Sequence, residues 1–140
     1  MQKNYSVCLV VASYYKKISN NLYKGAIFEL NKNKIFKYKH DKIIVPGVFE
    51  IPTVISKLIK KYDAFIALGC VIKGKTPHFD FISRASMNGI MKLSVEYKKP
   101  ITNGIITCLN KVQALERADP NKKNKGREAA KALMQIINIK

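Results

Sequence analysis

The sequence predicts an α/β fold in which a parallel sheet is covered by helices on both faces. Two apolar runs, residues 7–12 (VCLVVA) and Ala64–Ile72 (AFIALGCVI), lack any polar alternation, as strands buried on both faces do. Strand-like and helix-like patterns alternate as β-α-β-α-β-α-β-α-α, and right-handed crossovers then place helices on either side of a four-stranded sheet. The 140 residues, 47% hydrophobic, suffice for a buried core without disulfides or metals. No linker, repeat or low-complexity segment divides the chain, so residues 1–140 are expected to form one domain.

The first strand, 7–12, is ended by Ser13-Tyr14-Tyr15. A helix follows over residues 18 to about 33, carried by Leu22, Ala26, Phe28 and Leu30. Residues 35–45 contain the next strand, closing on Ile43-Ile44-Val45 before Pro46-Gly47 breaks it. From Glu50, the spacing of Ile51, Val54, Ile55, Leu58, Ile59 and Tyr62 predicts a helix, with Pro52 in the first turn where its missing N–H costs little. The run Ala64–Ile72 then delivers a polar loop, Lys73, Gly74, Lys75, Thr76 and His78, with Asp80 placed to cap the helix beyond it. At that end of the strands, open α/β sheets bind their ligands.

Ile82, Ala85, Ser86, Gly89, Ile90 and Leu93 form the inward face of that helix, while Met87 and Met91 lie on another. Two apolar faces imply a helix held between the sheet and a second surface, such as a neighbouring subunit. Pro100 ends it. A strand over 101–109, a short helix over 112–118 and a polar loop over 119–123 follow. The last helix runs from about 124 to about 138 with Ala130, Leu133, Met134 and Ile137 inward.

Twenty-six Lys and Arg against nine Asp and Glu give a formal charge of +17, which favours anionic ligands. Arg occurs only at 84, 117 and 127; nucleic-acid readers lean on its bidentate fork, and no aromatic-basic surface pattern accompanies the lysines, so nucleic acid is not the expected partner. Cys8, Cys70 and Cys108 sit in apolar strands without metal-ligand spacing and read as reduced core thiols of a cytoplasmic protein. Met1-Gln2-Lys3-Asn4-Tyr5 holds no apolar signal region, and no segment is apolar enough to span a membrane.

Gly69 to Thr76 spells G-x-x-x-x-G-K-T, the P-loop pattern. Three features oppose a nucleotide hydrolase. Val71 and Ile72 extend a strand better than they wrap a phosphate, Pro77 removes an N–H, and no strand ends in a magnesium-binding Asp.

Four blocks align at strand ends: Tyr15; Val45-Pro-Gly-Val-Phe49-Glu50-Ile-Pro52; Gly74-Lys-Thr-Pro-His78-Phe-Asp80; and Glu116-Arg117-Ala118 with Asn124-Lys125-Gly126 downstream. Together, over essentially the whole chain, they resemble the 6,7-dimethyl-8-ribityllumazine synthases. The resemblance implies a flavodoxin-like three-layer α/β/α sandwich, assembled into pentamers or shells of twelve pentamers, with active sites between neighbours. It implies condensation of 5-amino-6-(D-ribitylamino)uracil with 3,4-dihydroxy-2-butanone 4-phosphate, releasing phosphate and water without cofactor or metal. Archaeal-type riboflavin synthase shares the fold, but the intact Gly74–Asp80 block points to the synthase.

Carried over by position, His78 is the general acid/base, a role suited to imidazole near neutrality. Phe49 borders the pyrimidine and Glu50 accepts bonds from ribityl hydroxyls. Gly74, Lys75 and Thr76 hold phosphate, joined by Arg117 from the adjacent subunit. Tyr15, Val48, Val71, Ile72, Lys73, Asn103 and Lys125 fall at substrate-binding positions. The chain departs from the family at Tyr15, usually Phe, and at Lys16, commonly Asn. It also departs at Lys75, usually acidic or small, at Asn103, often Phe, and at Asp119-Pro120, usually Gly-Thr.

Overall fold

In the computed structural model, which describes residues 4–139, the uninterrupted apolar runs become the two central strands, β1 (Asn4–Ala12) and β3 (Ala64–Ile72). They pair in parallel, Val7 opposite Ala64 and Val11 opposite Leu68. The edges are β2 (Lys37–Val45), beside β1, and β4 (Ile101–Cys108), beside β3, giving a fully parallel sheet of order β2-β1-β3-β4. The side chains alternate between faces. Val7, Leu9 and Val11 enter one core with Ala64, Ile66 and Leu68, whereas Cys8, Val10 and Ala12 enter the other with Phe65 and Ala67.

The first core is closed by α1 (Lys16–Asn31), α4 (Lys111–Arg117) and α5 (Lys125–Asn138) through Leu22, Ala114 and Leu133. The second is closed by α2 (Ile51–Leu58) and α3 (His78–Tyr97) through Ile51, Ile55 and Ile90. The three-layer α/β/α sandwich is therefore the expected one, with four parallel strands. From β1 the chain crosses to one edge and from β3 to the other. The crevice between the carboxyl ends of β1 and β3 is thus the topological switch point, where such sheets bind ligands.

Several boundaries differ from the pattern reading, each for a local reason. Strand β2 lies within the expected 35–45 and closes on Val45; it starts at Lys37, after a turn closed by the Asn33 side chain, whose Oδ1 accepts from Ile35 N at 2.9 Å and whose Nδ2 donates to the Phe36 carbonyl at 2.7 Å. Helix α2 ends at Leu58, although Ile59 and Tyr62 remain buried beyond it. Asp80 does not cap α3: the helix begins at His78 behind Pro77, and Asp80 is the acidic residue of its first turn, a favourable place for negative charge. Ala85 is exposed rather than inward. Helix α3 ends before Pro100 comes into play, at Lys98, whose φ of 50° is left-handed. Asn124 caps α5 through its side chain, accepting from Arg127 N at 2.9 Å. Met1, Gln2 and Lys3, part of the segment read as lacking a signal, lie outside the described residues. Among the described residues, no helix is long and apolar enough to cross a membrane.

Candidate active site

A cleft of about 510 Å³ opens at the switch point. Three segments build it. After β2, Pro46-Gly47 leads into a single 3-10 turn, Val48–Glu50. The Glu50 carboxylate accepts from Gly47 N at 2.9 Å and Glu50 N donates to the Gly47 carbonyl at 3.2 Å. Val48 is thereby turned into the core, its carbonyl accepting from Ser86 Oγ of α3 at 3.4 Å. Phe49 is thrown outward, 56% exposed, onto the cleft.

The second segment is the end of β3. Val71 and Ile72 are half-buried and line the cleft with Cys70. Lys73 N makes a last backbone bond, to the Cys108 carbonyl at 2.9 Å, after which the chain leaves the sheet. Gly74 and Thr76 line the cleft, whereas Lys73 and Lys75 are exposed and do not. Thr76 Oγ1 accepts from the backbone N–H of His78 at 3.4 Å. His78, Phe79 and Ile82 complete that wall from α3.

The third segment follows β1. Ser19 Oγ of α1 donates to the Ala12 carbonyl, and the intervening turn carries Tyr14 and Tyr15, whose rings meet edge to face at 4.9 Å. Both line the cleft, but Tyr15 packs against the first core while Tyr14 is 76% exposed. Burial, then Tyr14 and Cys70, raise the Tyr15 phenol above its ordinary pKa. Burial foremost, then Cys108, pushes the Cys70 thiol up to about 12, so it enters the cleft wall as a neutral, inert group.

Asn103, Arg117 and Lys125 do not join this cleft. They line a separate recess of about 410 Å³ at the β4 edge, with Met87 and Glu128 among its other walls. Arg117 Nη1 donates to the Thr107 carbonyl at 3.1 Å and approaches Cys108 Sγ at 3.9 Å. Lys125 Nζ lies 3.6 Å from Glu128 Oε2. The Asn103 amide is already engaged: its Oδ1 accepts from Ile105 N at 2.9 Å and its Nδ2 reaches Met87 Sδ at 3.0 Å. It thus covers a backbone donor of an edge strand.

The recess is shaped by the neighbours of Lys125. Asn124, 1% exposed, bonds the Asn21 and Ala118 carbonyls at 2.9 and 2.8 Å. Gly126 stands where any Cβ would strike the Leu22 carbonyl. Within Asn-Lys-Gly, the outer residues dock α5 and the lysine faces the recess.

Among the residues sequence reasoning missed are Tyr14, Cys70, Phe79 and Ile82 in the cleft, and Met87, Lys123 and Glu128 in the recess. Glu128 left a signal, a carboxylate three residues beyond Lys125 on one helix face, and Met87 another, its place on the second apolar face of α3. The P-loop spelling has no structural counterpart. Gly69 is an interior residue of β3, and a Cβ there would lie 2.8 Å from Val48 Cγ2 and 3.0 Å from the Ala12 Cβ. Its glycine answers to packing beneath the 3-10 turn.

A doubly wound sheet, a partly apolar cleft at its switch point and a histidine with a carboxylate on the cleft wall define a flavodoxin-like α/β enzyme of small molecules. The family model of 6,7-dimethyl-8-ribityllumazine synthase matches residues 4–140. The chain belongs to that family, transferases of riboflavin biosynthesis. It is 39% identical to 6,7-dimethyl-8-ribityllumazine synthase of Buchnera aphidicola subsp. Acyrthosiphon pisum (strain Tuc7), the match covering 98% of this chain and 88% of the relative. It is 42% identical to that of Bartonella tribocorum, over 100% and 93% of the two chains. To 6,7-dimethyl-8-ribityllumazine synthase 1 of Rhodopseudomonas palustris it is 43% identical, over 96% and 85%.

Proposed function

We propose that the chain condenses 5-amino-6-(D-ribitylamino)uracil with 3,4-dihydroxy-2-butanone 4-phosphate at a site formed between two subunits. The observation that carries this reading is the division of the matched residues into two groups on one subunit. Tyr15, Val48, Phe49, Glu50, Val71, Ile72, Gly74, Thr76 and His78 line the cleft; Asn103, Arg117 and Lys125 line the recess, and no residue lines both. A head-to-tail ring brings one subunit's recess to its neighbour's cleft at every interface. Helix α3 supports the assembly through outward Phe81, Met91 and Val95, each more than 60% exposed and suited to burial against another copy. A pentamer is the closed ring we infer, with a shell of twelve pentamers as its larger form.

In this reading the pyrimidine lies against Phe49 and the exposed ring of Tyr14, with Val48, Val71 and Ile72 beneath it. Tyr15 supports Tyr14 from the core side. Glu50 accepts bonds from ribityl hydroxyls. The phosphate rests on Gly74 and Thr76, with Lys73 and Lys75 beside them and the neighbour's Arg117 opposite. His78, at the cleft wall, moves protons as the amine and ketone form an imine, phosphate leaves, the ring closes and water is lost. Lys125 extends toward the neighbour's substrate with Glu128 holding it. Asn103, tied to its own strand, contributes shape rather than a stacking ring. The chemistry asks for no cofactor or metal. A cytoplasmic setting agrees with the three free thiols.

Incubating the purified protein with both substrates and following the absorbance and fluorescence of the lumazine tests the reading. Product formation is expected. Absence of product at high enzyme concentration would refute it, and turnover of lumazine alone would instead indicate a riboflavin synthase.

A further inference from the structure

We propose that Lys73 and Lys75 form a cationic rim that draws the phosphorylated substrate to the cleft by long-range attraction, without holding it once bound. The inference rests on the proposed lumazine synthase activity. Gly74 and Thr76 line the cleft, while the lysines flanking Gly74, also exposed, are not among its lining residues. Neither lysine has an ion pair among the described residues. Both charges are therefore available to solution.

Their surroundings concentrate the effect. Lys16 and Lys17, also exposed, begin α1 directly after Tyr14 and Tyr15 of the cleft wall. The two nearest carboxylates in these segments, Glu50 and Asp80, leave the balance positive. Glu50 is bonded to Gly47 N and Asp80 sits within the first turn of α3. The whole chain carries +17. Like charges around a low-dielectric cleft focus the field onto its mouth and raise the local concentration of an anionic substrate. Lys at these positions is suited to the task, since its compact charge acts at a distance, where bidentate contact would call for Arg.

Attraction through solvent is screened by salt, whereas a direct contact is far less so. The test is kcat/KM for the phosphorylated ketone, measured on the full protein at saturating ribitylaminouracil from low to high ionic strength. Lys75→Ala and Lys73→Ala should each lower it about threefold to fivefold at ~10 mM salt and leave it equal to the unsubstituted protein near ~1 M. KM for the uncharged ribitylaminouracil should not move. Lys60→Ala, in the segment leading to the opposite end of β3, removes the same charge and should have no such effect.

A loss that persists undiminished at high salt would make either lysine a direct ligand and overturn the rim. An equal loss in Lys60→Ala would assign the effect to net charge and overturn it too. If the unsubstituted protein makes no product, the underlying activity falls and the rim with it; if product forms without these salt effects, only the rim falls.

Discussion

Glu50 reaches back across the 3-10 turn so that its Oε1 accepts from the backbone N–H of Gly47 at 2.9 Å. One carboxylate thus closes the turn that turns Phe49 outward and also stands on the cleft wall. The two duties separate on substitution. Glu50→Gln keeps an acceptor for Gly47 and should retain stability while raising KM for ribitylaminouracil. Glu50→Ala should in addition lose about 1 kcal/mol of stability, one hydrogen bond's worth. Urea unfolding alongside steady-state kinetics checks both.

His78 and Arg117 line different depressions of one subunit. His78→Ala should lower kcat by about 10²-fold or more, the range of general acid–base catalysis, and Arg117→Ala should chiefly raise KM for the phosphorylated substrate. If the site lies between subunits, co-assembling the two variants in equal amounts restores one intact site in about four, from random placement around a ring. With the phosphorylated substrate held well below the KM of Arg117→Ala, activity near a quarter of that of the unsubstituted protein is expected. None above the two parents would place both residues in one subunit's site.

Gly25 of α1 and Asn124 share one space: a Cβ on Gly25 would collide with the Asn124 amide that caps α5 and bonds the Asn21 and Ala118 carbonyls. Gly25→Ala should therefore destabilise the protein by about 2 kcal/mol or more, despite Ala being the better helix former. Asn124→Ala should match it, since two buried carbonyls and a helix end lose their partner. Because α5 carries Lys125 and Glu128, both variants should also weaken activity. Thermal unfolding and kinetics on the same samples would show whether the losses move together.

Burial, with Asp41 adding to it, pushes the Cys8 thiol up to about 12, and Cys70 reaches about 12 as well, both from an ordinary value of 9.0. The folded chain therefore holds protons that the unfolded chain releases between pH 9 and 12, so the thiols' contribution is intact below pH 9 and is lost as pH rises. The slope is about 1.4 kcal/mol per pH unit for each thiol. Denaturant midpoints from pH 8 to 11 should fall with pH, and less steeply in Cys8→Ala with Cys70→Ala. An unchanged slope in that pair would assign the alkaline loss elsewhere, with Tyr62, raised to about 12 by its hydrogen bond to Asp41, the first candidate.

Glu128 lies in the recess with Arg117 and pairs with Lys125 at 3.6 Å. Glu128→Gln frees that lysine and should change KM with little effect on stability, because an exposed pair of this kind contributes about 0.5 kcal/mol or less. Kinetics compared with urea midpoints tests this.

Buried strands and amphipathic helices announce themselves because each is a pattern of neighbouring residues read against one period. Ala64–Ile72 is bounded identically in pattern and fold for that reason, and the loop from Lys73 to His78 was legible as a polar burst at a strand end. Where an element begins or stops was less legible. Asn33 delays β2 through its amide, and Lys98 ends α3 through a left-handed backbone, neither of which is a hydrophobic repeat. At the site, the sequence pointed to Tyr15 alone, whereas the fold places both tyrosines on the cleft wall, Tyr14 the more exposed.

Residue order alone was sufficient for the α/β class, the parallel sheet, the loop bearing His78 and the resemblance to a family, all of which rest on short stretches of chain. The sorting of the matched residues into a cleft and a recess, the absence of Lys73 and Lys75 from the cleft lining, the engagement of Asn103 with its own strand and the packing role of Gly69 came from the folded chain. Each depends on contacts between segments far apart in sequence, and the side a residue faces is set by what the rest of the chain packs against it.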